Sequence, residues 1–180
     1  MSTPAGLDGR DASTAPATSE GQVELLKAAF RRHATGVALV TASGPDGPVG
    51  LTASSVASVS TRPPALSFSV LTGSATGRIV AEADQVDVHL LPAALAGVAD
   101  AFGRTAGARF TPEQGWLLGP EGAVLPEAVA SLRCVPVARV PVGEAVVVVA
   151  EVRAVVLGPV GDPLVYHDRA YRTAGPRLEV

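Results

Sequence analysis

The run AVVVVAEVRAVVL, from Ala145 to Leu157, is the strongest constraint in this chain. It is Val-rich with few polar breaks, so it reads as a long strand. Its uncharged part, Ala145 to Ala150, falls far short of the roughly 20 apolar residues that a membrane span needs. Apolar residues occupy both faces of the strand, where a half-solvated sheet would alternate. Both faces must then be covered, one by a barrel interior and the other by a partner subunit or a helix.

Other segments carry the same period. Val37 to Ala42 is a buried-type strand; Gly44-Pro45-Asp46-Gly47-Pro48 is a turn by composition; Val49 to Thr52 resumes the strand, giving a hairpin. Val56 to Ser60 alternates apolar residues with Ser up to Pro63-Pro64. Leu66, Phe68 and Val70 fall on one face of the next strand, Ser67 and Ser69 on the other. Val86 to Leu90, Leu132 to Val140, Leu164 to Tyr166 and Ala170 to Arg172 are further strands, with Pro136 marking an edge or a bulge. Three short helices complete the reading. One opens with a capping box at Ser19 and Gln22 and carries Val23, Leu26 and Phe30 on one face. A second runs from Arg78, after a polar loop over Thr72 to Gly77. The third follows Pro92, with Leu95, Val98, Ala99 and Phe102 on one face. Gly103 to Glu121 reads as loop, anchored by Phe110 and Trp116. The helices do not alternate regularly with the strands, which disfavours a doubly wound parallel sheet. A small closed or half-open β-barrel fits, because it removes most exposed edges.

Composition narrows function by exclusion. A net charge of −3 provides no attraction for nucleic acid or acidic membranes. The single cysteine, Cys134, rules out an internal disulfide framework, and His33, His89 and His167 lack the short spacings of zinc ligands. Residues 1–20 are rich in Ser, Thr, Ala, Pro and Gly and hold no apolar signal core. They read as a disordered tail ahead of a domain over 21–175, followed by a C-terminal tail at 176–180, in a cytoplasmic protein. Phosphate-loop, dinucleotide-fingerprint, nucleophile-elbow and zinc-protease motifs are absent. If the chain is an enzyme, a cofactor supplies the reactivity.

Two segments suit a cofactor. Gly50-Leu51-Thr52-Ala53-Ser54-Ser55 places small and hydroxyl side chains where a core strand would carry bulk. Such residues let a planar ligand lie against the backbone, and their hydroxyls donate and accept; a flat edge strand with a polar face has the same composition. Thr72-Gly73-Ser74-Ala75-Thr76-Gly77-Arg78 is a Gly/Ser/Thr loop opening a helix, which suits an anion as well as it suits an ordinary N-cap. His89 reads as a hydrogen-bonded structural histidine and Cys134 as a small buried hydrophobe.

From Phe30 to Gly175 the chain resembles the flavin reductase-like family. The likeness is carried by Thr35-Gly36-Val37 to Ala42, Asp46-Gly47-Pro48-Val49-Gly50-Leu51-Thr52-Ala53-Ser54-Ser55, Val59-Ser60, Pro63-Pro64, Ser74-x-Thr76, Phe102, Phe110 to Trp116, and Gly161-Asp162-Pro163-Leu164-Val165-Tyr166-His167 with Tyr171-Arg172. The resemblance implies a mainly β fold of Greek-key type, the FMN-binding split barrel, with few short helices. It also implies a homodimer that binds FMN or FAD in an interface groove and reduces it with NADH or NADPH, often on behalf of a partner monooxygenase. By the same resemblance, Thr52, Ala53, Ser54 and Ser55 would line the ring and ribityl chain, and Ser74 and Thr76 would hold the phosphate. His167 and Tyr171 would stand near the mouth where a nicotinamide stacks, His167 being the one candidate for a catalytic role.

Two departures stand out. Where the family often has Asn followed by Lys or Arg, this chain has Leu71 and Thr72, leaving Arg78 as the replacement cation. Where the family often has Gly-Asp-His, it has Gly143-Glu144-Ala145. These losses keep two further readings open: a non-catalytic flavin-binding redox module, and a flavoenzyme of the same fold acting on another small molecule.

Overall fold

The computed structural model describes residues 19–104, 107–120, 122–176 and 178–179. The expected N-terminal tail therefore lies outside the described residues up to residue 18, and Arg177 and Val180 of the expected C-terminal tail lie outside them as well.

The chain runs α1 (Ser19–Arg31), β1 (Thr35–Gly36), β2 (Ala38–Gly44), β3 (Gly47–Ala53), β4 (Ala57–Thr61), β5 (Pro64–Leu71), α2 (Ala75–Glu82) and β6 (Val86–Leu90). A 3-10 turn and α3 (Ala96–Gly103) follow, then β7 (Leu117–Gly119), β8 (Gly122–Val124), β9 (Ala130–Val142), β10 (Ala145–Leu157), β11 (Leu164–His167) and β12 (Ala170–Thr173). Seven strands form one antiparallel sheet in the order β3-β2-β6-β9-β10-β5-β4, while β1, β11 and β12 form a small second sheet.

The two edges of the large sheet, β3 and β4, are neighbours in sequence. Ala53 and Ala57 are joined by so little chain that it spans at most about 14 Å. The sheet must therefore roll until its edges approach, yet β3 and β4 share no ladder. This is the half-open barrel expected from the strand pattern, with residues 54–56 lying in the split.

Inward-facing side chains fill the rolled sheet: Val40, Phe68, Val88, Cys134, Val148 and Ala150 are almost fully buried, and α2 adds Val80 and Ala81. A second core lies outside the sheet, where Leu39 of β2 meets Val98, Ala99 and Phe102 of α3, with Trp116, Leu125 and Leu164. Strand β2 is thus covered on both faces. Burial of one such aliphatic or aromatic side chain is worth about 1.5–3 kcal/mol.

Strand β10 is buried at Val148 and Ala150, while Val155, Val156 and Leu157 at its far end stay exposed. Pro136 sits at the expected bulge: it pairs with Ala150 while Ala138 pairs with Val149, leaving Val137 unopposed.

Four local expectations change. Helix α2 starts at Ala75, not Arg78, because the Ser74 hydroxyl accepts the Gly77 amide at 3.0 Å and caps a turn that composition had marked as loop. Strand β7 falls inside the stretch read as loop, and it pairs with β8 across Gly119 and Gly122. Strand β4 is an edge whose alternation buries little, Val59 being 53% exposed. The apolar stripe of α1 is not covered by the described residues, for Val23, Leu26 and Phe30 are 47%, 60% and 63% exposed. No helix of the described residues is long and apolar enough to cross a membrane.

Candidate flavin site

A groove of about 850 Å³ opens beside the split in the barrel. Its floor is Ser54, Ser55 and Ser69; its opposite wall is the C-terminal end of α1 with the β11–β12 turn, including Tyr166 and His167. The volume falls in the usual range of small-molecule sites, about 300–1,000 Å³.

Ser55 shapes the floor. Strand β4 pairs with β5 only as far as Ser67, so the next outward-facing polar pair of β5, the N–H and C=O of Ser69, has no strand opposite. The Ser55 hydroxyl accepts that N–H at 2.9 Å and donates to that carbonyl at 3.2 Å. One side chain thus takes the place of a missing strand and holds residues 54–56 across the split. Ser54 is exposed and its hydroxyl has no partner among the described residues, so it is free for a ligand.

The remaining expected residues lie around this floor. Thr52 turns away from it and donates to the Ala99 carbonyl of α3 at 2.6 Å. Ala53 is 5% exposed and belongs to the barrel core. Tyr171 pairs across the β11–β12 ladder with Tyr166, their ring centres 5.4 Å apart, and Tyr166 is the one that reaches the groove wall. Burial, then the Asp100 charge, raises the Tyr171 phenol above its ordinary range, so it stays protonated. The groove therefore brings Ser54, Ser55 and His167 together, and places Thr52, Ala53 and Tyr171 behind its walls.

Ser74, Thr76 and Arg78 form a separate cluster further along β5. Gly77 makes it possible: a Cβ there would lie within 1.9 Å of the Leu71 carbonyl oxygen, so only glycine lets the first turn of α2 pack against the end of β5. The Arg78 guanidinium folds back to donate to the Thr72 carbonyl at 3.2 Å, which holds its charge beside the helix start. The first amides of an α-helix have no intrahelical acceptor, and the helix dipole there favours an anion. Ser69 in the groove and Thr72, one residue past the end of β5, are three residues apart, roughly 10 Å at strand rise. That spacing suits an elongated ligand with a flat ring and a phosphate tail.

The residues present fit a flavin: a floor of small side chains with a free hydroxyl, and an anion loop along the same strand. A family model described as "Flavin reductase like domain" matches residues 30–175. The chain belongs to this family. It is 34% identical over 155 residues to an NADH:FMN oxidoreductase of Rhodococcus qingshengii, covering 83% of this chain and 81% of that one. It is 35% identical over 150 residues to the reductase component of 4-hydroxyphenylacetate 3-monooxygenase of Thermus thermophilus, covering 83% and 95%. The crystal structure of a flavin reductase domain protein from Arthrobacter sp. FB24 superposes with a TM-score of 0.80 at 35% identity, covering 87% of this chain and 98% of that one.

In this flavin reductase domain, His89 and Cys134 are structural. His89 is 1% exposed; its Nε2 lies 3.2 Å from Thr41 Oγ1 and its Nδ1 2.8 Å from Ser131 Oγ. Burial pushes its pKa down to about 4. Burial, with the Asp87 charge, pushes the Cys134 thiol up to about 12, so it is no nucleophile. Trp116 packs edge-on to His89 at 5.3 Å and against Phe110 at 4.9 Å, as the loop anchor its position suggested.

Residue-by-residue reading missed the groove's far wall: Lys27, Arg31, Asp168 and Arg169. A helix end and a hairpin turn meet there, and neither carries a local motif. The hairpin itself was legible from the short strands on either side.

Proposed function

We propose that the chain is an NADH-dependent flavin reductase of the two-component type, transferring a hydride from NADH to FMN and supplying reduced flavin to a partner monooxygenase. The observation that carries this is the Ser54–Ser55 floor lying in the barrel split, with the start of α2 over Ser74–Arg78 just beyond the end of the β5 strand that carries Ser69. Relatives named as NADH:FMN oxidoreductase and as a monooxygenase reductase component support the donor and the partner class.

A bound flavin supplies the hydride acceptor. The chain's own residues position it and its donor. Ser54 offers a hydroxyl to the polar edge of the ring. Ser55 holds the floor flat through Ser69. The α2 N-terminus, with Thr76 and Arg78, would hold the phosphate. Tyr166 and His167 stand on the opposite wall, where they would meet a nicotinamide. Alignment of two reactants at near-attack distance can lower a barrier by about 7–11 kcal/mol. A site without an acid–base pair is therefore sufficient.

The protein acts as a cytoplasmic homodimer. The exposed stripe of Val23, Leu26 and Phe30 on α1 is an apolar surface that a second copy would cover. Phe30 also lines the groove, so the same contact would close one end of the site.

NADH oxidation with added FMN, FAD and riboflavin tests the reading. The reductase turns over rapidly and in proportion to free flavin. A protein that stays yellow after purification with negligible turnover would instead be a redox module. Tight flavin with turnover only on a third compound would mark a different flavoenzyme.

A further inference from the structure

The groove wall facing Ser54 and Ser55 is cationic on a chain whose net charge is −3. Lys27 and Arg31 reach it from α1, and Arg169 from the tip of the β11–β12 hairpin. Lys27 is already committed, its Nζ lying 2.7 Å from Glu24 Oε1. The guanidinium groups of Arg31 and Arg169 make no hydrogen bond or close ion pair with any described residue. At longer range both add to the pull of Lys27, which holds the Glu24 carboxyl below its usual range. Asp168 is the one carboxylate on the groove lining, so the rim keeps an excess of positive charge.

The hairpin tip is strained. His167 pairs with Ala170, leaving a two-residue turn in which Asp168 and Arg169 both take positive φ, 47° and 61°. Such turns favour Asn-Gly, and an L-residue in this region costs about 1–2 kcal/mol. The turn is pinned all the same, because the Asp168 amide donates to the Arg31 carbonyl at the end of α1 at 3.1 Å. That bond fixes Arg169 beside Arg31. A basic residue in the last turn of a helix is explained by the dipole alone. Arg169 has no such explanation.

The groove therefore has a cationic position apart from the Ser74–Arg78 loop. FMN carries one phosphate, which the loop accommodates. A dinucleotide carries a diphosphate, and guanidinium groups bind phosphate oxygens through paired donors. Building on the flavin reductase reading, we propose that Arg31 and Arg169 form a diphosphate subsite that takes the dinucleotide part of NADH or of FAD.

ADP-ribose is the probe, titrated calorimetrically at low salt against adenosine and FMN as controls. Arg169→Ala and Arg31→Ala are each expected to weaken ADP-ribose roughly tenfold, or about 1.4 kcal/mol, with adenosine and FMN unaffected. Arg169→Lys keeps the charge and should recover part of the loss, which relief of turn strain would not do. If the donor is the source, the Ala variants raise KM for NADH far more than they lower kcat. If the flavin is the source, they weaken FAD and leave FMN alone. Variants that bind ADP-ribose, NADH and FAD as the parent protein does would overturn the subsite. A parent protein that binds ADP-ribose through these arginines but reduces no flavin would sink the reductase reading and leave the subsite standing.

Discussion

Leu71 and Ala145 stand directly opposite each other in the β5–β10 ladder. Next to them Thr72 bonds to Glu144 twice, its amide and hydroxyl donating to the Glu144 carbonyl at 3.0 and 3.1 Å. The two places where the chain departs from the family pattern, Leu71-Thr72 and Glu144-Ala145, are therefore one place in space. What stands there is an aliphatic pair, at the end of the strand that carries Ser69 and leads into the anion loop.

Restoring the polar side chain there should help the donor. Ala145→His is expected to lower KM for NADH severalfold in steady-state assays, while thermal unfolding moves little, since surface changes usually stay within about 0.5 kcal/mol. An unchanged KM would mean that this end of β10 is remote from the nicotinamide.

The division of labour between neighbouring serines gives a second expectation. Ser54 is exposed with a free hydroxyl, so Ser54→Trp should abolish FMN binding by fluorescence titration and leave the urea midpoint nearly intact. Ser55 is structural as well: Ser55→Ala strips the Ser69 amide and carbonyl of their partner. Each lost bond is worth about 0.5–1.5 kcal/mol, less where water replaces it. That variant should lose both stability and flavin affinity. Normal FMN binding by the tryptophan variant would move the ring off this floor.

The anion loop is tested through Gly77. An alanine there collides with backbone, the Leu71 carbonyl, and backbone cannot swing aside as a flexible side chain does. Overpacking of this kind costs about 1–3 kcal/mol. Gly77→Ala should destabilise the fold and weaken FMN more than riboflavin, which lacks the phosphate. Arg78→Ala should give the same FMN-selective loss with little destabilisation, because its guanidinium is exposed and its one bond is to the Thr72 carbonyl. Equal weakening of both ligands would remove the phosphate role from the loop.

Most of the barrel was legible because each strand buries a face through its own alternation. Leu66, Phe68 and Val70 are inside and Ser67 and Ser69 outside, as their period requires. Of the four residues expected along the ring, Ser54 and Ser55 line the groove, where small hydroxyl residues after a strand break the rule that cores want bulk, while Thr52 and Ala53 lie behind it. What could not be read was anything fixed by pairing at a distance. Ser55 serves Ser69 only because β4 ends early, and Arg169 reaches the groove only because the Asp168 amide docks on α1. The stripe on α1 shows the converse: its period is correct, but no burial partner for it lies among the described residues. Strand β7 was missed because three residues between glycines carry no period at all.

His89 makes the fold sensitive to acid. Burial pushes its imidazole from 6.5 down to about 4. Between those values the unfolded chain holds a proton that the folded chain refuses, so stability is fully present above the unfolded value and falls as pH drops toward about 4. At roughly 1.36 kcal/mol per pKa unit, a drop from about pH 7 to about pH 5 should remove roughly 2 kcal/mol. Asp87 works the other way: burial raises its carboxyl against the opposing pull of Arg133, so the folded chain keeps that proton longer and gains at the acid end. The His89 slope is separated from that of Asp87 by a variant that keeps Asp87. Urea unfolding of the parent protein and of His89→Asn at the two pH values measures it. The variant, less stable throughout, should lose most of the difference between them; a parent protein equally stable at both values would show that His89 is solvated in the native state.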